Sequence, residues 1–152
     1  MSAEYLDAKI DNNLYVGNNA LPTKGKNAVM APKYQLGFGL DYDDGTWFGN
    51  AGIKWVGKQY STFMNDESIP SYVQADLTAG YRMHNIGFLK HPEIRLNIVN
   101  LANNHYLSGV YSVQSNAVAT KGVNGGTVAK SGTPSYYVST PFMAMATVSA
   151  GF

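Results

Sequence analysis

The chain has no cysteine among its 152 residues. Disulfide frameworks, thiol nucleophiles and cysteine metal sites are therefore excluded. Charge is also scarce: 14% of residues are Asp, Glu, Lys or Arg, against about 25% in a typical soluble domain. The net charge of +1 gives no electrostatic case for nucleic acid as a partner. No apolar run reaches the roughly 18 residues that a transmembrane helix requires. Residues 1–13 carry neither a basic n-region nor an apolar h-region, so they do not read as a signal peptide. There is no nucleophile elbow, P-loop or dinucleotide fingerprint; Gly37 and Gly39 fall inside an extended segment with no helix after it. No catalytic residue, no metal ligand set and no cofactor are expected, and the chain does not read as an enzyme.

What is present is aromatic and flexible. Eleven Tyr and sixteen Gly suit sheets, turns and interfacial aromatic belts better than helices. With 45% hydrophobic residues, the chain is poor in charge without being unusually apolar. A length of 152 residues allows one domain.

The dominant pattern is alternation with a period of two, the signature of strands. Residues 33–42 place Tyr34, Leu36, Phe38, Leu40 and Tyr42 on one face and Lys33, Gln35, Gly37, Gly39 and Asp41 on the other. Asp43, Asp44 and Gly45 then form a tight turn, Gly supplying a positive φ. Residues 46–60 put Trp47, Ala51, Ile53 and Trp55 against Asn50, Lys54 and Lys58. The two tryptophans are spaced about 26 Å apart at strand rise, enough to mark two aromatic girdles. In residues 71–83, Val73, Ala75, Leu77, Ala79 and Tyr81 oppose Gln74, Asp76, Thr78 and Arg82. Residues 93–101 alternate Ile94, Leu96 and Ile98 with Glu93, Arg95 and Asn97, and residues 102–108 are expected to continue that strand outward. The last strand, residues 137–152, lines up Phe142, Ala144, Ala146, Val148, Ala150 and Phe152 on a wholly apolar face. Residues 2–10 form a shorter first strand, giving six in all.

The connections alternate in length. Residues 11–32, 61–70 and 110–135 are long polar loops without a sustained period; residues 43–45 and 84–92 are shorter. A soluble sheet would bury the apolar face and wet the polar one, whereas a membrane barrel would turn the apolar face to lipid and the polar face to its lumen. Outer-membrane barrels pair short periplasmic turns with long extracellular loops, and that asymmetry favours the barrel. Gln35, Asn50, Lys54, Gln74, Asp76, Arg82, Arg95 and Asn97 are then the lumen-facing candidates. Lys54, Asp76 and Arg95 are placed to form cross-strand pairs worth about 0.2–1 kcal/mol each. The three histidines, His84, His91 and His105, read as solvated turn residues rather than as a metal site, for want of a convergent third ligand. Asp66 and Glu67, on an outer loop, read either as solvated acids or as a site for a cation or basic ligand. The ligand-binding residues are unknown from sequence; a contact is expected within residues 106–137.

Several motifs occur together and in order: Tyr5-Leu6-Asp7-Ala8-Lys9, Ala31-Pro32-Lys33, Val56-Gly57-Lys58-Gln59-Tyr60, Ile69-Pro70-Ser71-Tyr72 with Asp76, Gly80-Tyr81-Arg82, Val99-Asn100-Leu101 with Tyr106, and a terminal strand ending in Phe152. This order resembles the C-terminal third of TonB-dependent outer-membrane receptors, over essentially the whole chain. One departure is Ala102-Asn103, where the family usually has Phe-Asp. The resemblance implies an all-β, antiparallel transmembrane barrel segment, residues 1–152 being about the last six of 22 strands and an open sheet if isolated. The plug domain and earlier strands are expected to be absent from this sequence. It implies a bacterial outer-membrane location and active uptake of a scarce ligand, most often a ferric siderophore, powered by the TonB complex through the missing plug. Outer-membrane lipid and the barrel-assembly machinery are the other implied partners, the latter reading Phe142, Val148, Ala150 and Phe152 as its signal. Two alternatives stay open: a soluble β-barrel that binds a ligand, and a short outer-membrane module that oligomerises to close a barrel.

Overall fold

The computed structural model describes residues 1–151; Phe152 lies outside them, and with it the end of the expected assembly signal. The described residues contain strands and turns and no helix. The chain begins with β1 (Ser2–Tyr5). The first long connection folds into a small hairpin, β2 (Leu14–Val16) and β3 (Asn19–Leu21). β4 (Tyr34–Asp43) and β5 (Trp47–Val56) follow. The second connection holds β6 (Gln59–Tyr60) and β7 (Ser68–Ile69). Next come β8 (Tyr72–Arg82) and β9 (Lys90–Val99). The third connection contains β10 (Leu107–Ser112), β11 (Thr120–Lys121), β12 (Thr127–Val128) and β13 (Ser135–Val138). β14 (Met143–Gly151) is last.

Six strands form one antiparallel sheet, a wall, in the order β1-β4-β5-β8-β9-β14. Apart from the excursions between them, these strands are consecutive, as in an up-and-down barrel, but β1 and β14 do not meet. The turn from β4 to β5 is held by its own acids. Asp43 Oδ1 accepts the amide of Gly45 (2.9 Å), and Asp44 Oδ1 accepts those of Thr46 (2.8 Å) and Trp47 (2.6 Å). Gly45 has φ +90°, which an L side chain rarely adopts. The three long connections all leave from the opposite end of the wall and fold together there into a cap.

The strand limits differ from the sequence pattern where special residues intervene. β1 stops at Tyr5, although Leu6 still donates its amide to Lys33 O (2.9 Å). β5 stops at Val56, although the Gly57 amide still donates to Tyr34 O (2.9 Å) in the same register, and residues 59–60 join a separate ribbon. β9 starts at Lys90, earlier than alternation suggests: Lys90 pairs with Gly151 across a bulge that absorbs His91 (φ +47°) and Pro92, which has no amide to offer the ladder. Residues 102–108 do not extend β9 directly; Asn100 (φ +52°) turns the chain, and pairing resumes only in β10. The expected terminal strand is two strands, β13 on β10 and β14 on β9, interrupted at Thr140-Pro141.

The wall has no core. Its apolar face is bare: Phe38 is 53% exposed, Leu40 63%, Ile53 47% and Val148 73%. The buried apolar residues are Ala20, Leu21, Met64, Ile69, Val110 and Val128 in the cap, with Val56 at the strand end that meets it. Leu21, Met64 and Val128 touch as one cluster, so each long connection contributes one side chain.

Candidate functional site

Register fixes which side chains share the second, polar face of the wall, because directly paired residues point the same way and i and i+2 repeat it. Gln35, Gly37, Lys54 and Gln74 belong to it, as do Gly52 and Asp76, Asp41, Asn50, Thr78 and Asn97, then Gly80 and Arg95, and Arg82 with Glu93. All eight residues singled out from sequence therefore lie on one face. The structure joins some of them: Gln74 Nε2 donates to Asp76 Oδ2 (2.9 Å), Thr78 Oγ1 to Asn97 Oδ1 (3.2 Å), and Gln35 Nε2 to Glu4 Oε2 (3.2 Å).

The expected ion pairs among Lys54, Asp76 and Arg95 do not form. Lys54 stands in register with Gly37 and Gln74, not with an acid. Asp76 instead takes the amide of Asn100 (3.0 Å), where the chain bends into the cap. Arg95 pairs with Glu93 on its own strand (3.0 Å).

A charged cluster occupies the short-turn end of this face. Arg82 grips Asp43 with two nitrogens (2.7 and 3.0 Å) and approaches Glu93 (3.4 Å). The guanidinium carbons of Arg82 and Arg95 lie 4.2 and 5.1 Å from the ring centre of Phe48, within cation–π reach. Phe48 can lie across β8 because its partner there is Gly80, where a β-carbon would run into the ring. Asp43 and Glu93 were absent from the candidate set. Asp43 reads as a turn residue, and its link to Arg82 crosses the intervening strand β5, so only the register reveals it.

At the cap end, Tyr72 and Tyr106 stack with ring centres 4.3 Å apart and planes within 7°. The Tyr106 hydroxyl donates to Gln74 Oε1 (3.2 Å). Burial, with Tyr72 and Asp76 close by, raises the Tyr106 phenol above its ordinary range, keeping it a donor. This aromatic pair roofs the polar face beside Asp76.

The cap gives Asp66 and Glu67 partners, so they are not the solvated pair that the sequence suggested. Asp66 accepts the Thr62 hydroxyl (2.6 Å) and the amides of Ala117 (2.9 Å) and Val118 (3.2 Å). Burial pushes its carboxyl up, but these hydrogen bonds outweigh it and hold the group below the usual range. Glu67 takes the Tyr136 hydroxyl, which also meets Ser61 (3.0 Å). His84 and His91 lie at the short-turn end of the wall and His105 at the cap end, so the three do not converge. In the proposed assembly signal, Phe142 falls just before β14, while Val148 and Ala150 lie within it, in line with the residues paired to Ile94 and Leu96.

The family model described as "TonB dependent receptor-like, beta-barrel" matches residues 2–101. The ferrioxamine B receptor of Salmonella typhimurium is 33% identical over 96 residues, 59% of this chain and 13% of that protein. A ferrioxamine receptor of Yersinia enterocolitica is 27% identical over 97 residues, again 13% of its length. Two solved structures from Acinetobacter baumannii share the fold: the ferric preacinetobactin receptor BauA (TM-score 0.64, 22% identity, 97% of this chain) and the siderophore receptor PiuA (TM-score 0.68, 19% identity, 96%). The chain spans 18% of either solved chain. The wall, its order and its loop asymmetry agree with that match: the chain belongs to the TonB-dependent receptor β-barrel family, a family of outer-membrane receptors.

Proposed function

We propose that this chain is the last part of the barrel of a siderophore receptor in the bacterial outer membrane. The observation that carries this is the two-faced wall. One face is apolar from rim to rim and uncovered; the other holds Lys54, Asp76, Arg82 and Arg95. The apolar face is bounded by aromatics at both ends. Tyr5 and Tyr34 touch at the cap end (5.2 Å), near Trp55, and Trp47 and Tyr81 touch at the short-turn end (4.6 Å). An apolar band between two aromatic girdles is what a hydrocarbon layer about 25 Å thick selects. In this orientation the apolar face meets lipid, the polar face lines the lumen, and the cap is extracellular.

The eight polar-face residues then contact whatever fills the lumen, a plug supplied by the rest of the receptor. That plug would carry the link to the TonB complex. β1 and β14 pair with the barrel's other strands, which removes the two open edges that lipid does not tolerate. Val148, Ala150 and Phe152, with Phe142 before them, serve as the signal to the assembly machinery. The cargo is a ferric siderophore, supported by the names of the four relatives.

Radiolabelled iron uptake tests this in a strain deleted for the reading frame that encodes this chain. Loss of energy-dependent uptake of at least one ferric siderophore, restored by the gene, is expected. Unchanged uptake across hydroxamate, catecholate and mixed siderophores would reject the assignment.

A further inference from the structure

On the polar face of β4 and β5, Gly37 pairs with Lys54 and Gly39 with Gly52, so three of four neighbouring positions carry no side chain. They floor an open recess of about 560 Å³ that Gln35, Gln74 and Asp76 also line. Glycine weakens a strand interior, so its presence there calls for a reason. Gly80 has one within the wall, the ring of Phe48, and Gly37 has Ser2, whose Oγ a β-carbon would meet at 2.6 Å. Gly39 and Gly52 have none. Neither has a positive φ. A β-carbon on Gly39 would come no nearer than 4.0 Å to Ala51 O, and one on Gly52 would meet nothing within 4 Å. The wall has room for side chains at both positions. The recess also holds an unmatched charge. Glu4 takes the Gln35 amide, and Asp76 takes those of Gln74 and Asn100, but Lys54 has no hydrogen bond or ion pair among the described residues.

We propose that this recess seats an extended segment of the receptor's remaining chain, its backbone lying against Gly39 and Gly52 and a carboxylate side chain of it pairing with Lys54. This rests on the lumenal facing proposed above. A missing β-carbon lets another backbone approach closely. Glu4 and Asp76 outnumber Lys54 around the recess, which makes it a poor seat for a free anion. A peptide stretch offers amide donors to the Gln35 carbonyl oxygen as well as the acid that Lys54 lacks. This chain is a small share of the receptors it resembles, so the rest of such a receptor is there to supply the segment.

In the receptor containing this chain, carbodiimide coupling joins a lysine to a carboxylate only where the two touch. Peptide mapping should find Lys54 joined to an acid outside residues 1–152; Lys54 joined only within them, or to nothing, would overturn the proposal. Gly52→Val adds bulk that the sheet itself accommodates, so the barrel should assemble as before, read by heat-modifiable electrophoretic mobility. Hydrogen exchange in the segment cross-linked to Lys54 should rise roughly tenfold in that variant, the scale of one overpacked contact. Ala51→Val, at the neighbouring position on the apolar face, should leave it unchanged. Unchanged exchange in both variants rejects the seat alone; a rise with Ala51→Val and none with Gly52→Val rejects the facing beneath it. Slower siderophore uptake by Gly52→Val with exchange unchanged would give the recess to a passing ligand and overturn the seat.

Discussion

The wall and the cap solve opposite problems with the same chain. In the wall, order comes from the backbone: five strand pairings satisfy the amide and carbonyl groups between neighbouring strands, the outer edges of β1 and β14 apart, and most of the large side chains point away from the sheet into surroundings on either face. In the cap, the regular ladders are only two to six residues long, and order comes from side chains. Thr23, Ser61, Thr62, Asn100 and Asn116 are all at most 1% exposed. Asn65 and Asn27 exchange hydrogen bonds between the first and second connections (2.7 and 2.9 Å). Asp66 ties the second connection to the third, and Asn19 ties the third back to the first through Gly126 O (2.9 Å). The difference teaches where the hydrophobic effect acts. It holds the cap together in the ordinary way, through a small buried cluster, whereas in the wall the apolar side chains face the surroundings rather than each other.

That contrast can be broken from either side. Leu21→Ala removes the fully buried member of the cap cluster and should cost about 2–5 kcal/mol locally; limited proteolysis should then cut all three connections faster while the wall stays folded in the membrane. Leu77→Arg places a charge at the middle of the apolar face and should cost about 2–4 kcal/mol, whereas Thr78→Arg, the adjacent residue on the polar face, should cost far less. The fraction of receptor assembled in outer membranes reads both. Asn100→Gly keeps the backbone angle but deletes the bonds to Asn104 O (2.9 Å) and Thr140 O (2.8 Å). It should loosen the joint between wall and cap by about 1–3 kcal/mol, and Asn100→Ala should be worse because φ +52° is strained for alanine.

The smallest expected effect concerns pH. The Asp66 carboxyl titrates below the ordinary range in the folded cap. Its contribution is therefore complete above the unfolded value of about 3.9 and is lost as pH falls through the lower folded value. Proteolysis of the third connection should accelerate only in that acidic window, and Asp66→Asn should flatten the response.

The wall was legible in the sequence because register and facing depend on a period of two, which each strand states for itself. Tyr34 through Tyr42 needs no knowledge of its neighbours to declare its faces. The Asp43–Gly45 turn was legible for a similar reason, its hydrogen bonds spanning two or three residues. The cap was not legible. Its core draws Leu21, Met64 and Val128 from three separate connections, and no periodicity links them. Its ties cross 51 residues at Asp66–Ala117 and 107 at Asn19–Gly126. The Arg82–Asp43 pair was missed because it spans the intervening β5 and depends on Gly80 letting Phe48 lie flat between them. The break at Thr140-Pro141 had a local signal, a proline inside an alternating run, which the clean alternation of residues 142–152 outweighed.

The most direct test of the account is cysteine scanning along β8, which the cysteine-free chain makes straightforward. Single cysteines at Gln74, Ala75, Leu77, Thr78 and Ala79 are labelled with a membrane-impermeant maleimide in assembled receptor. Labelling is predicted at Gln74 and Thr78 and protection by lipid at Ala75, Leu77 and Ala79. Equal labelling of both sets, or protection confined to Gln74 and Thr78, would contradict the claim that the bare apolar face is turned to the membrane.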